Sequence, residues 1–217
     1  MNKFYNEFLG HLEKEDRFAC VEYAVSKLSS GELDVVTLYE DVAGPALNSI
    51  DCNINDKGLC IWREHVRSSI VRTVIENCYT YVIKEREKRK ISGKAGTAVV
   101  ICPDGEYHEI GARIVADFFT MCGLNATFVG SSTPKEEFIS VLEYLKPDFI
   151  AVSVTNYYNL VSAGKAIKEI RSRYKGNLKI LVGGNAFLKN PNTYKEIGAD
   201  THVRTFNEIR NYIGGGW

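Results

Sequence analysis

The sequence predicts an α/β protein in which a bundle of helices precedes a parallel β-sheet. Residues 97–130 contain an apolar run, a short polar loop, a helical pattern and a second apolar run, which is the order of a strand–helix–strand unit. Residues 1–90 show helical periodicity but no strand-like alternation. We therefore expect two domains, a helical one over 1–90 and an α/β one over 97–213, joined by a linker at 91–96.

Four helices are expected in the first half, which is enough for a small bundle. Two helices are predicted from apolar faces, the first made of Phe4, Phe8 and Leu12 and the second of Phe18, Val21, Ala24, Val25 and Leu28. A third helix over 33–50 contains Pro45, which predicts a kink because proline has no amide hydrogen. Residues 51–60 are expected to form a loop, and 61–89 a long helix with a charged, solvated end.

In the second half, short apolar segments alternate with helical patterns. Strands are predicted at 97–102, 126–129, 149–154, 178–182 and 201–203, with helices at 110–123, 135–145, 160–174 and 206–212. Five strands alternating with helices indicate a flavodoxin-like, doubly wound sheet.

Composition excludes several classes of partner and location. Lysine and arginine together number 27, as do aspartate and glutamate, so bulk charge suggests neither nucleic acid nor an acidic membrane surface as a direct partner. No apolar run approaches the roughly 18 residues that span a bilayer, and the N-terminus is too charged for a signal peptide. The six cysteines form no C-x-x-C pair, which predicts reduced thiols and a cytoplasmic protein.

The loop after the first predicted strand carries the strongest candidate site. It contains Asp104, Glu106, His108 and Glu109, with Gly111 behind them. Ligands of such sheets bind beyond the carboxyl ends of the strands. A histidine flanked by carboxylates there is a candidate metal ligand whose tautomer a neighbour can fix. Taken alone, without the other motifs, His108 is better interpreted as a helix-terminal residue that is hydrogen-bonded to backbone.

Other strand ends of the predicted sheet carry small residues. Ser153 and Thr155 follow the third strand, Gly183 and Gly184 follow the fourth, and His202 lies in the fifth. The hydroxyls and the glycine pair could contact a ligand, or they could be ordinary strand-end and turn residues. The same edge lacks a carboxylate cluster of the response-regulator kind and a G-x-G-x-x-G motif, which weakens a dinucleotide interpretation.

Three motifs together resemble a known family. The segments His108-Glu109-Ile110-Gly111, Ser153-Val154-Thr155 and Gly183-Gly184 resemble the cobalamin-binding domain of methionine synthase, corrinoid methyl-carrier proteins and cobalamin-dependent light sensors. This resemblance implies that the protein binds cobalamin.

The resemblance also implies roles for individual residues. His108 would be the lower axial ligand of cobalt, Ser153 and Thr155 would contact the buried nucleotide tail of the cofactor, and the glycine pair would line its channel. Asp104 and Gly111 belong to the same binding loop. Where the family has aspartate, two residues before the histidine, this chain has Glu106, which would reach the imidazole directly or through a water.

The helical half resembles the cap that covers the upper face of the corrin ring. Glu64-His65 matches the light-sensor branch, but the tryptophan that precedes this pair in that branch is Ile54 here, with Asn55 after it. Trp62 lies three residues before His65, on roughly the same helical side, and could shield the ring instead. We therefore expect Trp62, Glu64 and His65 to contact the cofactor, although the first could be bundle core and the other two a solvated pair.

The sequence thus predicts a cobalamin-binding protein whose chemistry belongs to the cofactor. It shows no nucleophile–base pair for independent catalysis. Two roles remain: a sensor or regulatory module that signals to a separate output protein, or a methyl carrier that serves methyltransferases. The cap sequence favours the sensor, because the cap pattern of methyl carriers is not found. Either role is compatible with a homo-oligomer.

Overall fold

The structure, a computed structural model, describes residues 3–49, 57–89, 96–190 and 192–214. The chain divides into two units, Met1–Lys88 and Arg89–Trp217.

The first unit is a helical bundle, as the sequence predicts. Its elements are α1 (Lys3–Glu13), α2 (Arg17–Ser30), α3 (Val35–Thr37), a π-helical turn (Leu38–Ala43), α4 (Gly44–Asn48) and α5 (Lys57–Lys88). Helix α2 packs against both α1 and α5. The carboxylate of Asp16 accepts a hydrogen bond from the Ala19 N–H at 3.0 Å and caps the start of α2.

Two predicted details of this bundle are wrong. The buried face of α2 is Cys20, Ala24 and Leu28, whereas Phe18 is 75% exposed. Phe18 precedes Cys20 by two residues, which places it about 200° away around the helix. Residues 57–60, expected in a loop, already belong to α5, and the earlier part of that loop lies outside the described residues.

The kink expected at Pro45 takes the form of the π-helical turn. Proline has no N–H, and its ring clashes with the carbonyl four residues earlier. The helix widens before it, so that the Gly44 N–H donates to the Tyr39 carbonyl, five residues back. Tyr39 is buried at this turn.

The second unit is a five-stranded, wholly parallel sheet with strand order β2-β1-β3-β4-β5. Its strands are β1 (Thr97–Pro103), β2 (Asn125–Thr133), β3 (Phe149–Ser153), β4 (Lys179–Gly183) and β5 (Thr201–His202). Its helices are α6 (Ile110–Met121), α7 (Lys135–Leu145), α8 (Leu160–Arg173), α9 (Thr193–Glu196) and α10 (Phe206–Gly214). This order confirms the flavodoxin-like prediction.

Helices cover both faces of the sheet, which explains why its central strands are apolar throughout. On one side α7 and α8 pack over a core that includes Val152 and Val182. On the other side α6 meets α10, where the rings of Phe118 and Phe206 lie 5.3 Å apart. Within the described residues, no helix is long and apolar enough to cross a membrane.

The sequence predicted reduced thiols throughout, and this is wrong for one cysteine. Cys20, Cys78, Cys102 and Cys122 are free, but Cys60 is disulfide-bonded. Spacing along the sequence could not show this, because pairing depends on a close approach of Cα atoms in space.

Candidate functional site

Because all five strands are parallel, the loops that follow them lie at one edge of the sheet. The β1–α6 loop carries Glu106 and His108, and the β3–α8 loop carries Thr155, Asn156 and Asn159. Hydrogen bonds join these two loops, and their centre is the carboxylate of Glu106.

Glu106 is fully buried, and both of its carboxylate oxygens are hydrogen-bonded. Oε1 accepts from the His108 N–H at 3.0 Å. Oε2 accepts from the N–H groups of Thr155 at 3.0 Å and Asn156 at 2.9 Å, and from Nδ2 of Asn159 at 3.1 Å. Burial alone would raise the pKa of Glu106, but the hydrogen bonds from Asn156, His108 and Asn159 outweigh it and lower the pKa. The side chain is therefore an anion at neutral pH.

The imidazole of His108 is held by this anion. Its Nδ1 lies 2.6 Å from Oε1 of Glu106, while the His108 side chain remains 52% exposed. A carboxylate only accepts hydrogen bonds, so Nδ1 carries a proton, and in the neutral ring the lone pair is then on Nε2. Glutamate at the family's aspartate position thus reaches the ring directly, without a bridging water.

The start of the β1–α6 loop is tied to the end of β2. The Gly105 N–H donates to Oγ of Ser132 at 3.1 Å, and that hydroxyl donates to Asp104 at 3.4 Å. The Ser131 N–H donates to Glu109 at 3.1 Å. The structure therefore places Asp104 and Glu109 in contact with β2, where they brace the loop that presents His108.

Two of the predicted small residues lie side by side behind this loop. A Cβ atom added to Gly111, in the first turn of α6, would stand 3.9 Å from Oγ of Ser153. Ser153 is only 8% exposed. Thr155 lies farther along, where its backbone N–H is bonded to Glu106. The predicted residues 111, 153 and 155 thus lie near the loop that carries Glu106 and His108.

The glycine pair has a reason to be glycine within the protein itself. A Cβ on Gly183 would lie 2.8 Å from the carbonyl oxygen of Val203. Gly184 has φ +102°, and a Cβ there would overlap the carbonyl of Val154. Close approach of the protein's own backbone therefore requires both glycines, whether or not a ligand also lies beside them.

The donor set suits a metal that brings most of its own ligands. Within the described ranges, no group of three or more histidine, cysteine or acidic side chains could enclose a bare ion. Burial, with smaller contributions from Glu106 and Glu109, raises the pKa of Cys102 to about 12, so this thiol stays protonated. One oriented imidazole remains, which fits cobalt in a corrin ring because that metal needs a single lower ligand from the protein.

Other predicted contacts lie in the first unit. Trp62, Glu64 and His65 fall in the first turns of α5 and are exposed, Trp62 by 63%. The interpretation of Trp62 as bundle core is therefore wrong. Ile54 and Asn55 lie outside the described residues. Contact between the exposed trio and a cofactor stays a prediction.

Asn159 is a site residue that the sequence reasoning missed. It lies at the end of a 3₁₀ helix, Tyr157–Asn159, and donates to Glu106 across the two loops. Its only signal in the sequence is a polar side chain near the end of a strand, which is too common a feature to single it out.

Comparison with known proteins gives the family of this site. A family model described as the B12 binding domain matches residues 96–209. Trimethylamine corrinoid protein 1 of Methanosarcina mazei is 32% identical over 133 residues, which are 59% of this chain and 60% of that protein. Trimethylamine corrinoid protein of Methanosarcina barkeri is 29% identical over 131 residues, 58% of each chain. The chain thus spans about three fifths of the length of these relatives.

Solved structures of low sequence identity share the fold. The monomethylamine corrinoid protein of Methanosarcina barkeri superposes with a TM-score of 0.78 at 13% identity, covering 97% of both chains. A chain of the methanol:cobalamin methyltransferase complex from the same organism gives a TM-score of 0.51 at 16% identity, covering 100% of this chain and 81% of that one.

Proposed function

Because the chain belongs to the family of B12-binding domains and binds cobalamin, we propose that it is a corrinoid protein that carries a methyl group between methyltransferases. The observation that supports this role most directly is the similarity to trimethylamine corrinoid proteins. The sequence alone favoured a sensor, and the relatives favour the methyl carrier instead.

In this proposal His108 is the lower axial ligand of cobalt. Its Nδ1 is occupied by Glu106 at 2.6 Å, so Nε2 is the nitrogen that would bind the metal. A carboxylate on the far nitrogen orients the ring and raises its basicity. The bound cofactor supplies the chemistry, since its cobalt accepts and releases the methyl group. The protein supplies an oriented nitrogen ligand on a rigid sheet edge.

The nucleotide tail of the cofactor would enter beside the same loop. Gly111 and Ser153 face one another there, and Gly111 leaves room because it has no side chain. Ser153 supplies a nearly buried hydroxyl, which would hydrogen-bond a polar group of the tail. We retain Thr155 and the Gly183-Gly184 pair as neighbouring positions of this proposed channel.

A sensor remains the second candidate, since Glu64-His65 matches the cap of the light-sensor branch. The side chains of Trp62, Glu64 and His65 are exposed on α5 and could meet the upper face of the ring. In a sensor they would control exchange of the upper ligand. In a carrier they would govern how the face is uncovered for a methyltransferase.

One experiment separates these roles. The bound cofactor is first reduced to cob(I)alamin, which supplies the electron pair of the new cobalt–methyl bond while the amine leaves. The protein is then incubated with a methylamine methyltransferase and its substrate, and the absorbance spectrum of the cofactor is followed in the dark. A carrier is methylated by its partner, and Trp62→Ala or His65→Ala alters that rate. A sensor instead shows no transfer, but light changes its oligomeric state when it holds adenosylcobalamin, and this result would reverse the proposal.

A further inference from the structure

We infer that Ser132, near the end of β2, is a positioning residue whose strained backbone and hydroxyl hold the turn that presents Glu106 and His108 to cobalt. This inference rests on the lower-ligand part of the proposed function, because it explains how the candidate ligand is held in place. It does not depend on whether the protein is a carrier or a sensor, since both roles use the same lower ligand.

An irregularity of β2 brings Ser132 to this turn. The pairing of β2 with β1 shifts in register between Ile101 and Pro103. Over this stretch β1 advances by two residues, whereas β2 advances by three, from Gly130 to Thr133. The extra residue makes a β-bulge, which bends a strand and changes the direction of its side chains, and bulges are frequent next to functional sites.

The backbone of Ser132 is strained. Its φ is +44°, in the left-handed region that is unfavourable for a residue with a Cβ atom. Among the described residues, the other non-glycine residues with positive φ are Glu15 and Lys146, which follow the ends of α1 and α7, where a left-handed residue is common. Ser132 lies in a strand, so its conformation has another cause. Such strain persists only where the surrounding structure enforces it, and it is concentrated at functional sites.

Three hydrogen bonds join Ser132 to the turn between β1 and α6. The Ser132 N–H donates to the carbonyl oxygen of Glu106 at 2.8 Å. Its Oγ accepts from the Gly105 N–H at 3.1 Å and donates to Oδ1 of Asp104 at 3.4 Å. The turn is closed by the Glu106 N–H, which donates to the Pro103 carbonyl at 2.9 Å. Ser132 therefore contacts three consecutive residues of one β-turn.

This turn sets the direction of the Glu106 side chain. Gly105 has φ +81°, the left-handed value that the third residue of a type II turn requires. Glu106 follows it, and Oε1 of Glu106 lies 2.6 Å from Nδ1 of His108. Because Ser132 binds the peptide groups before Gly105 and after Glu106, it opposes rotation of either residue. A change at Ser132 is thus passed through the turn to the carboxylate, and from there to the imidazole.

Serine at position 132 meets two requirements that neither glycine nor alanine meets together. Glycine adopts φ +44° without strain, but it has no hydroxyl to accept from Gly105. Alanine keeps the strain and also lacks the hydroxyl. A strained residue that keeps its side-chain contact with the turn is expected where a site is preorganised although some stability is lost.

The test compares Ser132→Gly and Ser132→Ala, with Ser131→Gly as the matched control. The control adds the same backbone freedom one residue earlier and removes a hydroxyl that has no hydrogen-bond partner within the described residues, while its N–H still donates to Glu109. Urea denaturation of the cobalamin-free proteins measures the strain. In the proteins loaded with cob(II)alamin, electron paramagnetic resonance shows whether a nitrogen ligand splits the cobalt signal, and titration gives the dissociation constant.

We expect Ser132→Gly to unfold at a higher urea concentration than Ser132→Ala, although glycine ordinarily destabilises a strand relative to alanine, because only glycine releases the strain. Ser131→Gly should unfold at a lower urea concentration than the wild type. Both Ser132 variants should bind cobalamin roughly 10-fold more weakly, the smaller effect known for residues that orient a metal ligand, and should lose the nitrogen splitting in part of the molecules. Ser131→Gly should keep the splitting and the affinity of the wild type.

Two results would overturn the inference: a Ser132→Ala variant that resists urea at least as well as Ser132→Gly, or wild-type splitting and affinity in the folded Ser132 variants. Far-ultraviolet circular dichroism checks the fold, and if Ser132→Ala does not fold, Ser132→Gly carries the binding test against Ser131→Gly. Absence of splitting in the wild type would instead refute His108 as the lower ligand, and with it the inference.

Discussion

Glu106→Gln tests whether a buried carboxylate sets the tautomer of His108. Glutamine keeps the shape of the side chain but replaces one oxygen with an NH₂ group. The three donors around Oε2 should attract the remaining oxygen, so the NH₂ group should face His108. It would then oppose the His108 N–H, and Nδ1 of the ring would have to accept a hydrogen bond. That reverses the tautomer and places the proton on Nε2.

The size of the effect follows from the lost contacts. At least one charge-assisted hydrogen bond disappears, which is worth about 1.5–3 kcal/mol, and the His108 N–H is left without its acceptor. The other three hydrogen bonds become neutral and weaker. We expect the cobalamin-free protein to lose about 2–5 kcal/mol of unfolding free energy.

Urea denaturation of the cobalamin-free protein measures this loss. Glu109→Gln is the matched control, since it removes the same charge three residues after Glu106, from a carboxylate that accepts a hydrogen bond from the Ser131 N–H instead. A nitrogen ligand splits the cobalt signal of cob(II)alamin in electron paramagnetic resonance. Of the two variants, only Glu106→Gln should lose this splitting. If its unfolding free energy and its splitting both equal those of the wild type, the carboxylate does not orient the ring and the reasoning fails.

Three further predictions concern stability. Gly184→Ala should lower the unfolding free energy measured in urea by about 2–6 kcal/mol, because its φ of +102° and the carbonyl of Val154 both oppose a side chain. The control Gly198→Ala, at φ +87° with a nearest contact of 3.5 Å, should lower it by only about 1–2 kcal/mol. Equal losses in the two variants would contradict a clash with Val154. Burial lowers the pKa of His202 below its ordinary value of 6.5, so the stability that the neutral ring contributes is present above about pH 6.5 and is lost as pH falls through the pKa of the folded state. In His202→Gln the urea denaturation midpoint should therefore change less between pH 7.5 and pH 5.5 than in the wild type, and an equal change would count against this. Asp16→Ala should destabilise the protein by about 1 kcal/mol in thermal unfolding, because the α2 cap is lost; an unchanged melting temperature would contradict a stabilising role of this cap.

The sheet was predictable because its signals are local. An apolar run bounded by turns marks each strand, and helix α7 begins and ends at the predicted residues, 135 and 145. Strand order then follows from the usual topology of alternating strands and helices. The ends of strands were harder to predict. Strand β2 runs to Thr133 rather than ending near residue 130, and the register of its pairing with β1 shifts over these last residues. A sequence pattern does not reveal such an irregular extension.

The bundle was harder to predict in detail. An apolar residue such as Phe18 fits a helical face by spacing, but only tertiary packing decides which face is buried. Proline at position 45 announced an interruption of the helix, but it did not specify a kink or a wider turn. The π-helical turn depends on which carbonyl the Gly44 N–H can reach, and that is set in three dimensions.

Glu106 and Asn159 show where sequence reasoning about a site ends. Glu106 could be found because it lies two residues from His108, and a motif records such short spacings. Asn159 lies 53 residues from Glu106 along the chain, so no local pattern connects them. What joins them is the sheet: β1 and β3 are neighbours in register, and their following loops must therefore meet. A motif can point to a candidate ligand, but the hydrogen bonds around it are assembled by strand order, and this is why the contact of Asn159 with Glu106 was visible only in the structure.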